Sequence, residues 1–245
     1  MKILNFKILG AVTLGLFLQN AAIADTITDL FNTGVDDSGL LLPDAADDPH
    51  YDITVQPTFG LTDAKVPAGF PFPFWVANTA NSAWIGPNTT SADGPSGNYI
   101  YETFFTLPSN TILSTVSIAG NWAADNRDPN NGFLNQIILN GTMVFQGINE
   151  GAFGPEDGFS SFSPFAFNGS DFPTAFQVGS NTLEFQVPNT PFTGTNPTGL
   201  HVQFSEKSFN VAQAVPAPTL NSVTALTLMM LGLAGWSFSY QRRKV

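Results

Sequence analysis

The chain has 245 residues, 19 of them acidic and eight basic, and no cysteine, which excludes a disulfide framework and any thiolate chemistry. All the acidic residues lie between Asp25 and Lys207, a span with only three basic ones, Lys65, Arg127 and Lys207 itself. A segment so acidic argues against nucleic acid as a partner, because that needs clustered Lys and Arg, and leaves divalent cations and neutral polymers open.

The N-terminus carries Lys2 and Lys7 ahead of an apolar stretch over residues 8–18 that the polar pair Gln19-Asn20 stops. That stretch is a signal-peptide core and too short for the roughly 20 apolar residues a spanning helix needs. Ala22-Ile23-Ala24 supplies a small-x-small cleavage pattern, so residues 1–24 are expected to be removed and the mature chain to begin at Asp25.

The middle of the chain, rich in Gly, Pro and Phe and poor in charge, predicts an all-β domain of residues 25–209, a β-sandwich or jelly roll. In chain order the predicted strands cover residues 52–55, 99–107, 111–118, 134–139, 142–145, 181–188 and 199–205. Asn140-Gly141 between two apolar runs predicts a hairpin with a type I′ turn. Leu183, Phe185 and Val187 should face the core with Glu184 and Gln186 outward, and Pro188 should end the ladder. Leu200, Val202 and Phe204 should face inward, with His201 outward. Residues 147–175 show no steady period and read as a long loop packed by its own phenylalanines, and residues 210–214 read as a linker.

Beyond the linker, residues 220–240 form a mostly apolar run without charge, long enough to span a membrane, followed by Arg242, Arg243 and Lys244. The basic cluster should stay in the cytoplasm, with the β domain outside. Together with Val215, Pro216, Ala217 and Pro218 just before it, this order resembles the PEP-CTERM sorting signal of Gram-negative bacteria, with Ala217 where that signal usually has Glu. The resemblance implies exosortase as processing partner, transient anchoring in the inner membrane, and delivery to the cell surface or an extracellular matrix such as a biofilm.

The segments Leu30-Phe31-Asn32-Thr33-Gly34-Val35, Ser82-Ala83-Trp84-Ile85-Gly86-Pro87, Trp122-Ala123-Ala124-Asp125-Asn126 and Asn196-Pro197-Thr198-Gly199-Leu200 resemble galactose-binding-like jelly rolls. This resemblance implies two packed sheets, a structural calcium and a carbohydrate site on loops at one end. The residues themselves offer candidates. Trp84 and Trp122 could stack on a sugar ring, or else anchor the core, and Asp125, Asn126 and Arg127 add acceptors and donors beside Trp122. Asp44, Asp47, Asp48 and Asp52 form an oxygen-rich cluster of the kind calcium prefers, or else a solvated acidic loop.

Catalytic candidates are few. His50 and His201 are the only neutral-pH bases, and no Gly-x-Ser-x-Gly elbow or His-Glu-x-x-His motif is present. The expectation is a non-catalytic, exported module that binds carbohydrate, an exopolysaccharide in particular. The alternatives are a purely structural matrix protein and, less favoured, a two-carboxylate glycoside hydrolase.

Overall fold

The computed structural model describes residues 23–57, 62–69, 73–89, 94–126, 135–147, 158–189 and 196–213. Ala22 and the residues before it, Arg127, and the whole sorting tail with Val215, Pro216, Ala217, Pro218, Arg242, Arg243 and Lys244 lie outside them.

Among the described residues ten strands follow one another: β1 (Ile23–Thr26), β2 (Asp47–Val55), β3 (Thr62–Lys65), β4 (Gly97–Leu107), β5 (Thr111–Asp125), β6 (Gln136–Leu139), β7 (Thr142–Gln146), β8 (Ser163–Asn168), β9 (Gly179–Asn189) and β10 (Gly199–Val211). They form a four-stranded sheet, β1-β10-β5-β8, and a six-stranded sheet, β3-β2-β4-β9-β6-β7, with antiparallel pairing throughout. No helix occurs among the described residues.

Period-two patterning places the core between the sheets. Tyr99, Tyr101, Phe105, Leu183, Phe185 and Val187 from one sheet meet Val116, Ile118, Trp122, Phe165, Leu200 and Val202 from the other in one buried cluster. The Asn140-Gly141 hairpin forms as expected, both residues having positive φ (49° and 78°) as a type I′ turn requires.

Three expectations need correction. Pro188 does not end its ladder: β9 continues to Asn189, and Pro188 pairs with Asn98. The partner on the other side, β6, stops opposite Gln186, so that side of Pro188 has no strand to hydrogen-bond. Asn210 and Val211 belong to β10 and pair with β5 and β1. The stretch 147–175, read as a loop, contains β8, whose Phe165 and Phe167 face the core. Pro164 is tolerated because β8 is an edge strand.

The register fixes two ends. Ile23 pairs with Val211, so the chain enters and leaves the sandwich at one end. At the other end β4 begins where β9 stops (Gly97 opposite Asn189), and β10 begins where β5 stops (Gly199 opposite Asp125).

Candidate functional site

At the end remote from Ile23 and Val211, strand termini leave backbone groups that need partners, and amide side chains supply them. Asn196 Nδ2 donates to Asn126 Oδ1 (2.9 Å) and Asn189 Oδ1 (2.5 Å), Asn189 Nδ2 to the Gly94 carbonyl (2.9 Å), and Asn135 Nδ2 to the Asn126 carbonyl (3.1 Å). Thr198 Oγ1 donates to the Asp125 carbonyl (2.7 Å), and the Asn126 N–H to that of Pro188 (3.0 Å). The Asp125-Asn126 peptide is cis. Asp125 and Asn126 are therefore both at this end, as the sequence suggested, but both are buried and sew the two sheets together.

The tryptophans are not where a sugar could reach them. Trp122 and Trp84 are each 0% exposed, so of the two readings the sequence left open it is the core anchor, not the stacking face, that holds at both. Trp122 sits between the sheets, 5.9 Å from the Phe185 ring. Trp84 lies on the opposite face of the four-stranded sheet, where Trp75, Trp84 and Ala123, with Val76, Phe159 and Phe162, form a second apolar cluster. Trp84 Nε1 donates to the Val76 carbonyl (2.8 Å).

This outer layer also explains His201. Its side chain points away from the main core, as alternation requires, yet it is fully buried under Phe162 and Trp84 (ring centroids 4.8 and 5.4 Å away). His201 Nε2 meets Ser82 Oγ at 2.9 Å, and burial pushes its pKa down to about 3. Ser82 is equally buried, so this Ser–His contact has no open path to a substrate.

The four clustered aspartates serve separate partners. Asp44 accepts from the Gly69 N–H (3.3 Å), Asp47 pairs with Lys65, and Asp52 stands opposite Asp63. Asp48 is buried and accepts from the Gly34 N–H (2.7 Å) and the His50 N–H (2.9 Å). Burial pushes its pKa up to about 7. Among the described residues no group of three or more His, Asp or Glu is placed to hold a metal ion.

What the structure adds is a cleft of about 280 Å³ that the sequence did not reveal, lined among others by Phe31, Asn32, Asp37, Ser38, Asn81 and Lys207. Segment 27–35 builds one wall by running along β10, its ends tied by Ile27 N–H to the Lys207 carbonyl and Thr33 N–H to that of Val202. The wall is clamped from β2. His50 stacks on Phe31 (3.8 Å, 8°), Tyr51 Oη donates to the Phe31 carbonyl (2.8 Å), and Asp48 holds Gly34.

The polar lining is fixed as well. Asn32 Oδ1 accepts from the Phe204 N–H (2.8 Å) while its Nδ2 donates to the Asn81 carbonyl (2.9 Å). Asn81 Oδ1 accepts from Thr79 Oγ1 and Gln203 Nε2 (both 2.9 Å), which turns its NH₂ group outward as a donor. Asp37, 3.6 Å from His50 Nε2, has a side chain 91% exposed. Lys207 Nζ donates to the Leu30 carbonyl and lies 5.7 Å from the Phe31 ring centre. The only sequence cue was Lys207 itself, one of three cations in the domain; nothing local announced that residues 31 and 207 would meet.

No family model and no curated protein matches the chain. Among solved structures, the Streptomyces avermitilis alpha-L-rhamnosidase complexed with L-rhamnose is 18% identical over 63% of this chain, with a TM-score of 0.33. The chain spans only 14% of that enzyme's length. A family 35 carbohydrate binding module from an environmental isolate is 10% identical, aligned over 79% of this chain and 99% of its own, with a TM-score of 0.25.

Proposed function

We propose that this chain is an exported protein, sorted to the cell surface or matrix by its PEP-CTERM-like tail, whose β-sandwich binds carbohydrate without turning it over. The observation that carries the binding reading is the cleft beside Phe31. It combines immobilised amide groups of Asn32 and Asn81, the accessible carboxylate of Asp37 and the hydroxyl of Ser38 with an aromatic ring in one wall. Sugars present the matching surface, hydroxyls that donate and accept around apolar C–H patches, and binding sites generally fix orientation with a few such placed polar groups. The pairing of Asp25, the expected first residue of the mature chain, with Phe209 near the end of β10 is consistent with the sorting reading, because it brings the two ends of the domain together.

Retention of the purified chain on a panel of bacterial exopolysaccharides tests this. Wild type should be retained on at least one, and Asn81→Ala with Asp37→Asn, both exposed positions, should weaken retention about tenfold without lowering the melting temperature. A flat panel would leave the second reading, a structural matrix protein, which the complete burial of Trp84 and Trp122 favours. Release of the domain depends separately on exosortase: the mature form should lose Arg242, Arg243 and Lys244 only in cells that contain it.

A further inference from the structure

Resting on the reading of the cleft as a sugar site, we infer that Lys207 makes it selective for a sugar bearing a carboxylate, a uronate, over the corresponding neutral sugar. Two cations occur among the described residues, Lys65 and Lys207. Lys65 is ion-paired with Asp47. Lys207 contacts no carboxylate among the described residues: its ammonium meets the Leu30 carbonyl and the Phe31 ring. An ammonium has three donors, and only one is taken by the carbonyl.

The surroundings leave that charge incompletely solvated. Partial burial of Lys207 lowers its pKa below the usual lysine value, and Asp29, which draws it back up, is not in contact. An anion entering the cleft would restore the lost solvation with a charge-assisted hydrogen bond, while a neutral hydroxyl would do so less well. The donors on Asn81 and the acceptor on Asp37 suit the hydroxyls of the same sugar ring. Carboxylates farther than about 8 Å are largely screened at physiological salt, which leaves Asp37 in the cleft and Asp29 beside Lys207 as the charges an incoming carboxylate must avoid.

The test is calorimetric titration of the purified chain with methyl glycosides of glucuronate, galacturonate and mannuronate, each beside its neutral hexose counterpart. At least one uronate should bind about tenfold more tightly than its neutral partner. Lys207→Gln should bring the pair to parity, and Lys207→Arg, which keeps the charge, should preserve the preference; melting curves confirm that both variants fold. Equal affinity for charged and neutral sugars in wild type, or a preference that survives Lys207→Gln, overturns the inference while the sugar reading of the cleft stands. No binding of any of the six overturns both.

Discussion

Glu102 lies directly opposite Glu184 across the β4–β9 ladder and directly opposite Asp52 across β2–β4, and Asp52 in turn faces Asp63 on β3. Four carboxylates therefore form a row across neighbouring strands of the six-stranded sheet. Like charges in directly opposed positions destabilise a sheet by roughly 0.2–1 kcal/mol a pair. Partial burial, reinforced by these neighbours, raises the pKa of Glu102 and of Asp52; burial alone raises that of Glu184.

Glu102→Gln relieves two of these pairs, with Glu184 and with Asp52, and should accordingly stabilise the chain at pH 7 by about 0.4–2 kcal/mol. The sign follows from linkage. A carboxyl whose pKa is higher folded than unfolded contributes stability that is complete below the unfolded value and is lost as pH rises through the folded one. The gain from Glu102→Gln should thus shrink as pH falls through the raised folded value of Glu102 and be gone below the ordinary glutamate range. Urea unfolding at pH 7 and pH 4 measures both numbers, and a variant less stable than wild type at pH 7 would show that the Glu102 carboxylate is not repelled on balance where it stands.

His201 predicts the opposite trend. Its pKa is depressed to about 3, chiefly by burial, with Ser82 exerting a lesser pull upward. Its neutral form therefore contributes stability that is present above the unfolded value near 6.5 and is lost as pH falls toward 3. Replacing it with Phe, which fits the aromatic layer of Trp84 and Phe162, should leave a protein whose melting temperature drops less between pH 7 and pH 4 than that of wild type. Asp48 and the carboxylate row titrate in both proteins, so they cancel in the comparison. The difference should be on the order of a few kcal/mol; identical pH profiles would mean that water reaches the imidazole.

How far the sequence could be read depended on whether one strand's own pattern decided the outcome. Leu183, Phe185 and Val187 were legible because alternation alone sends them inward, and Asn140-Gly141 because only a tight turn suits that pair. His201 was half legible. Alternation gave its direction, but its burial depends on residues 75–84 and 159–162 folding over the outside of β10, a contact more than 100 residues away in sequence for Ser82. The same holds for the cleft, where Lys207 meets residues 30 and 31. Among the candidate site residues, Asp125 and Asn126 do lie at one end of the sandwich. Their role in joining strand termini depends on Asn189 and Asn196, which no local motif couples to them.

Trp122 offers a direct contrast between the two roles a sequence could give it. As a buried residue between the sheets it should tolerate Phe far better than Ala. Trp122→Ala opens a cavity and should cost about 3–5 kcal/mol. Trp122→Phe should cost clearly less, because it keeps the ring against Phe185 and Phe145 and removes an indole N–H that has no hydrogen-bond partner. The Phe variant should also retain whatever polysaccharide binding wild type shows. Loss of retention in a fully folded Trp122→Phe protein would restore the tryptophan to the binding site.

Two glycines with similar backbone angles separate conformational strain from crowding in the cleft wall. Gly34 has φ +70° and Gly39 φ +76°, a region that costs an L-residue roughly 1–2 kcal/mol. A methyl group on Gly39 would meet nothing within 4 Å, so Gly39→Ala should cost only that strain. On Gly34 it would lie 2.6 Å from the Cβ of Ala83, whose own N–H is bonded to the Thr33 carbonyl, and Gly34 is pinned from the other side by Asp48. Neither neighbour can give way without breaking the wall. Gly34→Ala should therefore cost about 1–3 kcal/mol more than Gly39→Ala. It should also weaken sugar retention, since Phe31 and Asn32 precede it in the same segment. Denaturant midpoints for the two variants decide the matter: equal losses would mean that the wall shifts freely, and a mobile wall could not hold the amides of Asn32 and Asn81 in place for a ligand.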